Sequence, residues 1–218
     1  MNDRLILAID TSFGPVGGAL LTLAGDVVAS FEADNLAGTQ AETLPPLVAQ
    51  MFATSGASFK QLDRVAVTVG PGAFTGVRVG LAFAKGLRLA TGAAILGVTT
   101  LECLAAQVAR DVPGHAVGVA IDAKRGEVYA QAFDASVSPL TEPVAVAVES
   151  AAPAFRKSLA QPFVLTGSGA ALLGLDARIV EAGRVDARLL AKRMMTADPA
   201  RYPATPAYLR APDAKLPS

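Results

Sequence analysis

The sequence predicts an α/β protein of two lobes, residues 1–109 and 110–218, each a mixed β-sheet flanked by helices. Three observations predict it. Each half opens with a short apolar run that ends at an aspartate: Leu5–Ile9 before Asp10, and Ala116–Ile121 before Asp122. In the first half, three strand-like runs precede an alternation of helix and strand, which builds a mixed sheet covered by helices. Between the halves, Arg110–His115 interrupts the apolar pattern with Pro113 and Gly114 and reads as a linker.

Leu5–Ile9 is too short for a signal-peptide core and has no cleavage site, so it reads as a buried strand. Val16–Leu23 and Val27–Phe31 follow as strands joined by the turn Ala24-Gly25-Asp26. Thr39 and Glu42 have capping-box spacing ahead of Leu44, Leu47, Val48, Met51 and Phe52, which predicts a helix over Ala41–Ser55. Pro45 and Pro46 disturb it. Proline fits only the first turn, so a late start or a kink is expected. Val65–Val69 reads as a buried strand. It leads into Gly70-Pro71-Gly72-Ala73-Phe74-Thr75-Gly76, a turn opening a helix that lasts to Thr91. A strand at Ala94–Val98 and a helix at Leu101–Val108 complete the first half. The second half adds strands at Glu127–Phe133 and Phe163–Thr166, helices near Ala170 and Ala187, and an extended stretch from Pro199. Pro139–Pro162 carries no readable signal. The shared opening, strands ending at Asp10 or Asp122, suggests that the lobes are distant structural copies.

Composition excludes whole classes of function. At 52% hydrophobic and 17% charged, the chain is neither a disordered tail nor a nucleic-acid-binding arm. Nineteen basic and nineteen acidic residues cancel. A protein that holds RNA alone shows a basic excess, because phosphate neutralisation supplies most of the affinity. Any RNA contact is therefore expected to belong mainly to another subunit. One cysteine, Cys103, allows no internal disulfide, and no stretch reads as a membrane span, which points to a cytoplasmic protein.

The glycine turn and its helix are the most informative segment. The turn matches neither Gly-x-x-x-x-Gly-Lys-Ser/Thr nor Gly-x-Gly-x-x-Gly. Two readings stay open: a phosphate cradle on helix N-terminal amides, or a tight strand-to-helix connection. At about 100° per residue, Val79, Phe83, Leu87 and Ala90 share the expected core face. Gly76, Gly80 and Ala84 form a seam of small residues beside it. An interior glycine costs about 1 kcal/mol relative to alanine, so the seam predicts close approach by another backbone. Arg78, Lys85 and Arg88 fall outward with Leu81 and Leu89. Such a helix is packed on two sides, within the chain or against a partner; in the second case Gly80→Leu blocks the complex and spares the fold.

The string Val69-Gly70-Pro71-Gly72-Ala73-Phe74-Thr75-Gly76-Val77-Arg78-Val79-Gly80-Leu81-Ala82, with Ala84-Lys85-Gly86-Leu87, resembles the TsaB (YeaZ-type) family. So do Ile6–Ser12, Gly97–Glu102, Ile121–Tyr129 and the C-terminal Tyr208-Leu209-Arg210, five segments in the family's order over nearly the whole chain. The order of elements is also that of the actin-like, Hsp70-like ATPase (ASKHA) fold. The resemblance implies that fold without the catalytic equipment of the relative TsaD. It further implies a non-catalytic subunit that, with TsaD and the ATPase TsaE, supports threonylcarbamoyl transfer to the tRNA adenosine beside the anticodon. TsaC supplies the threonylcarbamoyl-adenylate, and tRNA is reached through the complex. Family members contact TsaD through two first-lobe helices, here Ala41–Ser55 and Thr75–Thr91, and also pair with themselves there. The partner-binding residues so implied are Leu47, Met51, Gly76, Val77, Arg78, Gly80, Leu81, Ala84, Lys85 and Arg88, with no cofactor and no metal. The chain ends soon after Tyr208-Leu209-Arg210, so no fused TsaD or acetyltransferase domain is expected.

Other chemistries find little in the sequence. A metallopeptidase needs clustered His, Cys or carboxylate ligands, and the chain has one histidine, His115, and one cysteine. Where TsaD carries two metal-binding histidines four apart, Gln40 and Leu44 stand here. A hydrolase triad lacks a placed histidine base. The competitor is an actin-like ATP-binding kinase or ATPase, with Asp10-Thr11-Ser12, Asp122 and Thr166-Gly167-Ser168-Gly169 as nucleotide loops. Against it, Asp122 is followed by Ala-Lys-Arg-Gly, bulky where a backbone cradle favours glycine. Direct tRNA binding would use Arg78, Lys85, Arg88, Lys124 and Arg125, but neutral charge and 6% aromatics give it little support.

Overall fold

The computed structural model describes residues 4–33 and 39–210; residues 1–3, 34–38 and the end of the predicted tail, 211–218, lie outside the described residues. The first sheet has the order β3-β2-β1-β4-β5, from β1 Leu5–Asp10, β2 Val16–Thr22, β3 Val27–Ala33, β4 Leu62–Thr68 and β5 Ala94–Val98. The second has the order β8-β7-β6-β9, from β6 Ala116–Lys124, β7 Glu127–Phe133, β8 Val144–Ala147 and β9 Phe163–Thr166. Within β3-β2-β1-β4 the pairings run antiparallel, antiparallel, parallel, and β8-β7-β6-β9 repeats them. The lobes are copies of one topology, the actin-like one.

Period-two alternation sorts the side chains into layers. Leu5, Leu7 and Ile9 face α1 (Gln40–Ser55) and α2 (Phe74–Thr91). Ile6 and Ala8 face the opposite way, into a core shared with α3 (Thr100–Asp111) and α5 (Ala187–Met194). That central core also holds Val117, Val119 and Ile121 of β6, so α3 and α5 lie between the two sheets. The outer face of the second sheet packs under α4 (Val148–Ser158) through Ala120, Ala130, Ala151 and Phe155. Chain order and packing part company here. α3 precedes the expected boundary yet packs on β6, and α5 follows it yet packs on β1 and β2.

The helix α1 starts at the capping box of Thr39 and Glu42 and ends at Gly56, whose φ of 70° is left-handed. It runs through Pro45 and Pro46 unbroken, so the expected late start is corrected. Leu44, Val48, Met51 and Phe52 anchor its inner face. Both prolines, and Ala41 and Glu42 whose carbonyls lose their donors, are exposed, where water satisfies them. The unread Pro139–Pro162 stretch holds β8 and α4. After a 3-10 turn at Pro199–Arg201, the chain lies along the first lobe, with the Gly97 amide donating to the Tyr202 carbonyl (2.9 Å) and the Ala207 amide to the Val69 carbonyl (2.8 Å).

Candidate functional site

The strand-end aspartates occupy different environments. Asp10 is 1% exposed. Its Oδ1 accepts from the Ser12 amide (2.9 Å), Ser12 Oγ (2.7 Å) and Thr68 Oγ1 (2.6 Å), and Thr100 Oγ1 lies 2.9 Å from Ser12 Oγ. Oδ2 is buried with no hydrogen-bond partner. Burial pushes the carboxyl above the usual aspartate range, against the lowering effect of the Thr68 and Ser12 hydrogen bonds. Cys103, on α3, is likewise buried, and burial with the nearby Asp10 carboxylate pushes its thiol well up, which suits an inert core residue.

Asp122 is tied differently. Lys124 Nζ lies 2.7 Å from its Oδ2 and the Lys124 amide donates to Oδ1 (2.7 Å), which hold its carboxyl below the usual range. Lys124 (φ 64°) and Arg125 (φ 57°) are both left-handed, a conformation that glycine adopts most cheaply. The loop Thr166–Gly169 sits against this strand end, with the Asp122 amide donating to Ser168 Oγ (3.1 Å). Among the described residues no three His, Cys, Asp or Glu side chains come together as metal ligands.

The small-residue seam of α2 turns inward. Thr11 Oγ1 donates to the Gly76 carbonyl (2.7 Å) and the Ala73 amide to the Ser12 carbonyl (2.8 Å), locking the helix onto the β1–β2 turn. A methyl group on Gly76 would overlap the Thr11 carbonyl oxygen, and one on Gly80 would lie 2.5 Å from Thr11 Oγ1. This contact sets the rotation of the helix. Val77, Leu81 and Ala84 enter the core, whereas Val79, Phe83 and Leu87 are only half-buried and Ala90 is exposed. The expected faces are thereby corrected: Leu81 is a core residue, and the close backbone is the chain's own.

Of the ten residues proposed for partner contact, the structure buries Met51, Gly76, Val77, Gly80, Leu81 and Ala84 within the chain. Leu47 is half-buried, and Arg78, Lys85 and Arg88 are exposed. The outer sides of the two helices also expose Leu89, which was expected outward, and residues that helical periodicity did not single out. Pro45, Pro46, Ala49 and Ala53 of α1, and Ala82, Gly86 and Leu89 of α2, are all exposed, Leu89 at 90%. Gly86 has nothing within 4 Å of where a Cβ would stand.

The C-terminal Tyr208-Leu209-Arg210 joins the lobes. Arg78 Nε donates to Tyr208 Oη (3.0 Å), and its guanidinium lies 3.9 Å from the centroid of Phe74. The Phe74 and Tyr208 rings are 5.6 Å apart and half-exposed, 50% and 52%. Two residues on, Arg210 donates to the Ala123 carbonyl (3.1 Å) and lies 3.4 Å from Glu127 on the β6–β7 hairpin, while Leu209 packs on the central core. The segment thus fixes the first turn of α2 relative to the second lobe. No helix is long and apolar enough to cross a membrane among the described residues.

Comparison with known proteins covers the same segments. The family model for TsaD, tRNA N6-adenosine threonylcarbamoyltransferase, matches residues 36–163. The tRNA threonylcarbamoyladenosine biosynthesis protein TsaB of Escherichia coli K12 is 40% identical over 124 residues, 57% of this chain and 52% of that protein. The matched region therefore spans about half the length of that curated relative. An uncharacterized protein of Mycobacterium tuberculosis H37Rv is 32% identical over 96% of this chain and 93% of its own. Among solved structures, YeaZ from Pseudomonas aeruginosa superposes with a TM-score of 0.75 at 25% identity, over 94% of this chain and all of that one.

Proposed function

The chain belongs to the TsaD-type threonylcarbamoyltransferase family, in its TsaB (YeaZ-type) branch, and on that premise we propose that it is a non-catalytic partner subunit. It pairs with TsaD, and with the ATPase TsaE in a ternary complex, for threonylcarbamoyl transfer to the tRNA adenosine beside the anticodon. It works in the cytoplasm and meets tRNA through the complex.

The observation that carries this reading is the outer side of α1 and α2. Leu89 is 90% exposed, and Pro45, Pro46 and Ala49 of α1 and Ala82 and Gly86 of α2 are exposed apolar or small residues. A helix-interior glycine costs about 1 kcal/mol relative to alanine, and nothing in the monomer uses the space at Gly86. A partner helix does. The non-catalytic half of the reading draws on the two aspartates: Asp10 is 1% exposed, with three donors on Oδ1 and Oδ2 enclosed in the core, and Asp122 is paired with Lys124. An ATP-binding kinase or ATPase needs these carboxylates available to a metal-bound phosphate.

Size-exclusion chromatography with light scattering, on the chain alone and mixed with TsaD from the same source, tests the partner role. The expected result is a stable mixed species at the expense of any self-dimer. No association, even with TsaE and ATP, would bring the ATPase reading forward. Asp10→Ala is expected to leave tRNA modification by the assembled complex nearly unchanged.

A further inference from the structure

The exposed side of α2 carries Arg78, Lys85 and Arg88, and the helix contains no acidic residue. α1 contains one, Glu42, in its first turn, where the Thr39 amide (2.8 Å) and hydroxyl (3.1 Å) already hold the carboxylate. The remaining outward positions of α1, Pro45, Pro46, Ala49, Gln50 and Ala53, are uncharged. Among the described residues no carboxylate pairs with Lys85 or Arg88, and Arg78 is held by a hydroxyl and two aromatic rings, none of them anionic. The face is apolar and cationic at once.

A two-fold dimer built on this face is isologous, so every residue meets a member of the same set. Among the described residues of the two helices its cations would meet cations or neutral groups, with Glu42 at one end as the single acid. An acidic-faced partner meets no such conflict. We propose that this face selects a partner whose facing surface is acidic, and discriminates against a second copy of this chain by charge. The inference rests on the partner reading above and adds the chemistry of the partner's surface.

Opposite responses to salt are the signature. The mixed complex with the TsaD of the same source is expected to weaken about tenfold between roughly 20 and 500 mM NaCl, as screening removes the attraction. Self-association, followed by sedimentation velocity, is expected to stay flat or strengthen over the same range. Lys85→Glu is expected to weaken the mixed complex about tenfold at low salt and to strengthen self-association, with Lys85→Gln in between. Circular dichroism confirms that the variants fold. A mixed complex indifferent both to salt and to Lys85→Glu would overturn the inference, as would self-association strongest at low salt. Failure of the mixed complex to form at any salt would instead count against the partner reading, while the self-association arm still tests the charge of the face.

Discussion

On the inner side of α2, a methyl group at Gly76 would overlap the Thr11 carbonyl oxygen, and one at Gly80 would crowd the Thr11 hydroxyl; on the outer side, Gly86 looks into open space. The inner glycines bring the helix backbone onto the strand-end turn that holds Asp10. Their cost in helix propensity, about 1 kcal/mol each, is offset by a hydrogen bond and a close-packed contact within the chain. Gly86 has no such return in the monomer. The same residue on two sides of one helix thus meets two different surroundings, the chain's own backbone inside and open space outside.

That contrast can be broken from the inside first. Gly76→Ala and Gly80→Leu are expected to destabilise the monomer by about 3 kcal/mol or prevent folding, because backbone and a buried threonine cannot yield. Urea denaturation checks this, and a folded Gly80→Leu monomer would restore the outward seam. On the outer side, Leu89→Ala is expected to leave stability within about 0.5 kcal/mol and weaken the mixed complex by about 1–2 kcal/mol, read by calorimetric titration. Tyr208→Phe removes the hydroxyl that Arg78 donates to and is expected to cost about 1 kcal/mol of stability, with faster hydrogen exchange in the first turn of α2. Gly86→Ala sharpens the comparison most delicately. It should stabilise the free chain by about 0.5–1 kcal/mol and still weaken the complex. The smallest expected signal is a slope with pH. Because burial raises the Asp10 carboxyl, the native state binds that proton more tightly than the unfolded chain. Stability contributed by Asp10 is therefore present in acid and falls as pH rises from about 3.9 towards the raised native value. Asp10→Asn should remove that slope in denaturation series run across the acid range.

The strands were legible because continuous apolar runs such as Leu5–Ile9 and Val65–Val69 fit only a sheet covered on both faces. The end-points of β5, β7 and β9 match the expected ones. The helix α4 was hidden: only Ala151 and Phe155 of it are buried, and Pro153 lies inside it. The rotation of α2 was misread because a helical wheel weighs side-chain hydrophobicity, whereas the rotation is set by Thr11, more than sixty residues away, accepting the absence of side chains at Gly76 and Gly80. The candidate face was half legible. Arg78, Lys85, Arg88 and Leu89 were placed outward correctly, whereas nothing in the helical pattern singles out Ala82 and Gly86, which are also exposed. Tyr208 and Arg210 were visible as a motif, yet nothing in their spacing says that they reach Arg78 and Ala123 on different lobes.

The central claim is that the outer side of α1 and α2 is covered by a partner. Hydroxyl-radical footprinting with mass spectrometry, on the free chain and on its mixture with TsaD, reads side-chain exposure directly. Leu89, Phe83, Pro45 and Pro46 are expected to lose most of their oxidation in the complex, while Ile179 and Leu172, exposed on the second lobe, keep theirs. Unchanged oxidation at Leu89 and Phe83 in a complex that demonstrably forms, with protection appearing on the second lobe instead, would contradict it.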